Sequence, residues 1–161
     1  MTPVTAWQKT LWAQLASQGM SHATIFHGQE GLGHLDFALN MAKAKLCESQ
    51  TESKPCHQCE ACRWFDTGSH PDFQGLLPED LQSLLPHDNL IDDVGEEVVI
   101  KNISTDDDKA DKKLSQVIKV AHIRSMIDSL GTASYRSGQR VVLLGPLESL
   151  ETISANKIGR A

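Results

Sequence analysis

All four cysteines of the chain fall in one short stretch, at Cys47, Cys56, Cys59 and Cys62, with the pattern C-x8-C-x2-C-x2-C. No other feature constrains the fold as tightly. A Cys-x-x-Cys turn brings two sulfurs to one ion, and four thiolates match the soft, tetrahedral preference of Zn2+. Cys47, at the end of a helical pattern, is well placed as the fourth ligand. Four protein ligands leave no position for water, so the expected zinc site is structural. The alternatives are a redox-active Cys-x-x-Cys pair and four unrelated thiols. His57 and His70 are spare ligands that four cysteines make unnecessary. The N-terminus, MTPVTAWQKTLWAQL, lacks the basic start, apolar centre and small-residue cleavage site of a secretory signal. A cytoplasmic location is therefore expected, which favours metal over disulfides.

The chain has 161 residues, enough for one compact domain with a core. No apolar run approaches the ~20 residues of a membrane span, so no membrane partner is expected. The net charge is −6, and residues 87–113 hold nine acids and four bases, leaving the rest close to neutral. That balance disfavours a broad basic face for DNA and leaves local contacts open. Residues from about 78 to 115 are acidic and lack periodicity. They are expected to form a mobile surface insertion, with VVI at 98–100 as a candidate short strand. DDDKAD at 106–111 lacks the glycine and terminal glutamate of a calcium loop.

Elsewhere helices and strands alternate. Trp7, Leu11, Trp12 and Leu15 recur at helical spacing over 5–18, with Thr5 as a candidate cap. ATIFHG (23–28) reads as a buried strand ending in glycine. A helix over about 33–46 carries Leu35, Ala38, Leu39, Ala42 and Leu46 along one side. HPDFQGLL (70–77) predicts a second strand near 72–77, with His70-Pro71-Asp72 shaping its start. Residues 117–131 predict a helix with Val120, Ile123, Ile127 and Leu130 on one face and Gly131 as C-cap. GQRVVLLG (138–145) is the clearest buried strand, and a last helix begins near Ser149. The pattern predicts an α/β fold with a parallel sheet.

The segment GQEGLGHLD (28–36) lies between a predicted strand and a predicted helix, where a phosphate-binding loop belongs. Gly28, Gly31 and Gly33 match the spacing G-x-x-x-x-G-K-[ST], but His34 replaces the lysine and Leu35 the hydroxyl. The glycines and the helix N-terminus supply N–H groups for phosphate. The missing lysine served the β- and γ-phosphates, and the missing hydroxyl held Mg2+. His34 is too short and mostly neutral at pH 7, and Leu35 cannot ligate a metal. The strand at 138–145 ends in Gly145 and Pro146, with no carboxylate before Glu148, where nucleotide hydrolases place an Asp. Hydrolysis is not expected, and ATP binding is disfavoured. His22, His27, His70, His87 and His122 form no catalytic pattern and read as surface or packing residues.

These segments occur in an order that resembles the N-terminal part of delta-prime subunits of the bacterial DNA polymerase III clamp loader, a AAA+ family. The resemblance rests on "HATIFHGQEGLG", on "ALNMAKAKLC" running into "CHQCEACRWFDTGSHPDF", on "IKVAHIRSMIDSL" and on "RVVLLGPLESL". It covers about residues 5–156 apart from the acidic insertion. It implies an incomplete P-loop/AAA+ parallel sheet with flanking helices, with a zinc module at about 47–62 inserted after the loop helix. It implies a non-catalytic subunit with a degenerate P-loop, working with gamma/tau and delta subunits to place the sliding clamp on primed DNA. The family belongs to the DNA-directed DNA polymerase (nucleotidyltransferase) holoenzyme. Family members are longer and continue into further strands, a Ser-Arg-Cys motif, a lid and a collar, none of which has a counterpart here. Only Ser154-Ala155-Asn156 remains of the family's next motif. The strand at 23–27 would then lack its usual neighbours, so a truncated product of limited stability is expected. Two rival readings are a small P-loop ATPase or nucleotide kinase, and a stand-alone zinc-binding interaction module.

Overall fold

The computed structural model describes residues 6–18, 21–29, 31–51, 54–86, 115–136, 138–153 and 155. In chain order these form α1 (Ala6–Gln18), α2 (His34–Leu46), α3 (Glu60–Thr67), β1 (Phe73–Leu76), α4 (Val120–Leu130) and β2 (Val141–Leu144). Short 3-10 turns at Gln82–Leu84 and Leu147–Ser149 complete the set.

Helix α2 is the hub. It starts after Gly33, whose φ of 77° is a conformation that side chains oppose and glycine takes freely. Lys43 and Lys45 in its last turn suit the helix dipole. The sequence pattern gives it one apolar side, yet Phe37, Met41, Ala44, Asn40 and Lys43 are buried as well. The reason is enclosure from several directions. Phe37 meets Trp12 of α1 at 5.8 Å and Phe26 at 5.4 Å, both edge-on. Leu39, Ala42 and Leu46 pack with Phe65 of α3 and with Phe73, Leu77 and Leu85. A helix covered on most sides lies inside a fold rather than on its surface. Asn40 is satisfied by donating to Asp36 O at 2.9 Å.

Strands β1 and β2 pair in parallel, from Phe73↔Val141 to Leu76↔Leu144. Val141 N–H to Asp72 O (2.9 Å) and Gly145 N–H to Leu76 O (3.2 Å) extend the ladder at both ends. The period of two in a strand sends Val141 and Leu143 to the α2/α3 core. It sends Val142 and Leu144 to a second cluster of Leu76, Ile118, Ile123 and Met126 under α4. Helices thus cover both faces of a small parallel sheet, the expected α/β arrangement.

Several expectations need correction. Residues 23–28 form no strand; Ile25 is 78 % exposed, and only Phe26 is tied down, on Phe37. No described strand pairs with this segment, so it lacks the ladder hydrogen bonds that make a strand. The strand at Val141–Leu144 is half-buried throughout rather than fully buried, because the described sheet has two strands. The insertion does not begin at 78. Pro78 and Leu85 are buried, and Leu85 belongs to the main core. Helix α4 starts at Val120, buries Ile123 and Met126 with His122, and leaves Leu130 41 % exposed. Gly131 caps it with an ordinary right-handed φ of −67°. The last helix begins beyond Ser149, with Ala155 N–H on Glu151 O. The Thr5 cap, the candidate strand at 98–100, the acidic run at 87–113 and His87 lie outside the described residues. Among the described residues no helix is long and apolar enough to cross a membrane.

Candidate metal centre

The four cysteines converge. Cys47 is the C-cap of α2, where a ψ of 122° turns the chain away from the helix. Cys59 is the N-cap of α3, and its sulfur accepts the Cys62 N–H at 3.4 Å. Cys62 sits in the first turn of α3, and Cys56 lies in the loop between the helices. All four sulfurs lie within 4.8 Å of one another, with Cys47–Cys59 at 3.9 Å and Cys56–Cys62 at 4.0 Å. A tetrahedral zinc with its usual Zn–S bonds separates its sulfurs by about 3.8 Å. The thiols are free of disulfides, so donor number, softness and spacing are compatible with one Zn2+.

The backbone favours ionised sulfur at part of this site. Cys56 N–H points to the Cys47 sulfur (3.5 Å) and Cys59 N–H to the Cys56 sulfur (3.3 Å). Hydrogen bonds from the Gln58 and Cys59 backbone hold the Cys56 thiol well below its ordinary range, at about 6. Burial, followed by the bond with Cys59, pushes the Cys62 thiol up.

Charged residues that the sequence reading passed over surround the thiols. Lys43, 1 % exposed, donates to both oxygens of Asp66 at 2.6 and 2.7 Å and meets His57 Nδ1 at 2.9 Å. Its sequence signal was a lysine on the α2 face that carries Leu39 and Leu46. Arg136 joins Glu48 (2.9 Å) to Glu60 (2.7 Å), the residues that follow Cys47 and Cys59, and lies 4.7 Å above the Trp64 ring. His70 and Asp72 do shape the start of β1: Phe73 N–H donates to His70 O at 3.1 Å, and Asp72 N–H to His70 Nδ1 at 3.1 Å.

The described glycines of the loop lie ahead of α2, and no described strand precedes them. Gly31 and Gly33 take φ values of 82° and 77°. The His34 ring folds back against Gly28, so closely that a Cβ there would collide with it. Leu35 turns inward onto the main core. Gln8 Nε2 donates to Gly33 O at 3.4 Å and ties α1 to the loop. Neither replaced position presents a group able to take over the lysine or hydroxyl chemistry.

Known proteins resemble this chain over most of its length. The family model described as DNA polymerase III, delta subunit, matches residues 5–160. The delta' subunit of Pseudomonas aeruginosa DNA polymerase III is 24 % identical over 159 residues, covering 98 % of this chain and 38 % of the relative. The Bacillus subtilis delta' subunit is 36 % identical over 73 residues, which is 45 % of this chain and 22 % of that one. The Bacillus subtilis tau subunit is 39 % identical over 64 residues, 40 % of this chain and 11 % of tau. The chain therefore spans little more than a third of the length of the Pseudomonas relative. With nearly its whole length matched by that one family model, the chain belongs to the DNA polymerase III delta subunit family.

Proposed function

We propose that the chain is a non-catalytic, delta-prime-like subunit of a DNA polymerase III clamp loader. In this reading it is a scaffold for gamma/tau and delta partners and contributes through them to placing the sliding clamp on primed DNA. The observation that carries the reading is the glycine loop. Its backbone keeps the left-handed glycines of a phosphate loop, while His34 closes on Gly28 and Leu35 joins the core. A loop built this way retains a structural job and has no group for the γ-phosphate or Mg2+.

The second part of the reading is a structural Zn2+ held by Cys47, Cys56, Cys59 and Cys62. It is supported by four free thiols at tetrahedral spacing, three at the facing ends of α2 and α3 and Cys56 in the loop between them. Bound zinc would fix the loop between α2 and α3 and supply no open coordination position. A stand-alone zinc module is disfavoured, because Leu46, Phe65 and Phe73 share one core with Leu39, Leu77 and Leu85.

The test is assembly. The full chain is mixed with purified gamma/tau and delta subunits and run on gel filtration, and MgATP turnover is measured for the chain alone. Co-elution in one complex, with no turnover by the chain, supports the scaffold. Turnover by the chain alone, or absence from every complex, overturns it.

A further inference from the structure

We propose that Lys43 is a positioning residue for the four-cysteine centre, acting through His57 to hold the Cys56–Cys59 turn in its metal-binding shape. The inference rests on the reading of the thiols as a zinc site.

The geometry behind it is a convergence at one nitrogen. Lys43 precedes Cys47 by one turn at the end of α2, and Asp66 follows Cys62 by one turn on α3. Residues four apart lie on one helix face. His57 sits in the turn between Cys56 and Cys59. The Lys43 Nζ touches Asp66 Oδ1, Asp66 Oδ2 and His57 Nδ1, at 2.6, 2.7 and 2.9 Å. Every segment that supplies a sulfur is thereby tied to the same ammonium, whose three N–H donors match its three acceptors.

His57 gives the contact its purpose. Its φ of 56° is the one positive value among the described non-glycine residues. Such a conformation carries strain that surrounding contacts must offset. In the turn that holds it, the Cys56 and Cys59 sulfurs stand within 4.8 Å of those of Cys47 and Cys62. His57 is exposed, so burial does not hold it, and its described side-chain tie is to Lys43. The Lys43–Asp66 pair is neutral as a unit, so its contribution is geometric rather than a net charge. Lys43 is buried while Asp66 stays 44 % exposed, so the pair adds little to stability and is better suited to fixing one arrangement.

The experiment measures zinc affinity of the full chain by chelator competition, with the cobalt(II) absorption spectrum as a readout of tetrahedral geometry. Lys43→Met is expected to weaken zinc by roughly 10- to 100-fold, the usual effect of removing a group that orients a ligand. His57→Ala, at an exposed position, should give a similar loss and a weaker cobalt band. His57→Gly should stay near wild type, because glycine takes this φ without strain, and adding it to Lys43→Met should restore affinity. A purely structural lysine would leave the Lys43→Met loss unrescued by His57→Gly. If Lys43→Met does not fold, Lys43→Gln takes its place in the same rescue. Equal affinities for His57→Ala, His57→Gly and wild type overturn the inference while the zinc reading stands. A wild-type chain that takes up neither zinc nor cobalt overturns both.

Discussion

The buried carboxylate of Asp72 accepts the backbone N–H of Arg136 at 3.0 Å, from a residue 64 positions later in the chain. It also accepts the Tyr135 N–H at 2.7 Å, and Arg140 Nε stands 3.8 Å away. This carboxylate fixes the loop after α4, and the loop carries Arg136 onto Trp64, Glu48 and Glu60 beside the cysteines. Asp72→Ala should cost about 3 kcal/mol, since it removes two charge-assisted bonds and leaves the buried Arg140 Nε without the carboxylate beside it. Arg136→Ala, which loses a partly exposed ion-pair network, should cost under about 1 kcal/mol. Urea midpoints measure both, with an unchanged slope showing that stability alone moved. A reversed order would mean that the loop is held from the Arg136 side.

Gly75 and Leu85 test whether 78–86 belongs to the fold. A Cβ on Gly75 would lie 2.6 Å from Leu85 Cδ1 and 2.7 Å from Cδ2, and Leu85 is itself buried. Gly75→Ala should overpack this contact and cost about 1–3 kcal/mol. Leu85→Ala should cost about 3 kcal/mol through the cavity it leaves. Together they should cost less than the sum, because the shortened Leu85 position admits the new methyl. A double-mutant cycle by thermal or urea melting measures the coupling, and strict additivity would place Leu85 away from β1.

Much of this was legible beforehand, and the misses have physical causes. The thiol spacing and α2 come from short-range chemistry that a pattern states directly: a Cys-x-x-Cys turn and a run of helix formers after a left-handed glycine. Helix α3 escaped notice because its start and stop signals, Cys59 as N-cap and Gly68 at φ 79°, overlap the metal motif. ATIFHG reads as a strand because its composition is that of one, yet a strand exists only where a neighbour takes its hydrogen bonds. Lys43 was invisible as a site residue because its partners lie 14 and 23 positions away, and only the fold brings them together.

Zinc removal and ATP addition should act very differently on thermal stability. If four thiolates hold the ion, chelation removes binding free energy that is also folding free energy. Ligand at about a hundredfold over its dissociation constant contributes about 2.7 kcal/mol, or several degrees of Tm in a domain of this size. A metal chelator should therefore lower Tm by at least several degrees. Excess MgATP should leave it within about one degree, because His34 and Leu35 offer nothing to phosphate or Mg2+. Differential scanning of one preparation covers both arms. A Tm raised by MgATP would reinstate the glycine loop as a nucleotide site.

His70 should make the fold acid-sensitive. It is 1 % exposed, its Nδ1 accepts the Asp72 N–H at 3.1 Å, and its buried Nε2 has no hydrogen-bond partner among the described residues. Burial lowers its pKa from the ordinary 6.5, against the opposing pull of Asp72 and Glu48. Protonation in the folded state would add a proton to Nδ1 and break the bond to Asp72. The unfolded chain takes up its proton first as the pH falls through 6.5, so the unfolded state binds more protons in that window. Stability from this site is then intact above the unfolded value and is lost as the pH drops below it. His70→Asn keeps an acceptor for the Asp72 N–H and carries no titrating group. Between about pH 7.5 and about pH 5 the wild-type urea midpoint should fall further than that of His70→Asn, with any zinc-linked loss common to both. Equal falls would show that His70 charges in the folded state as readily as in the unfolded chain.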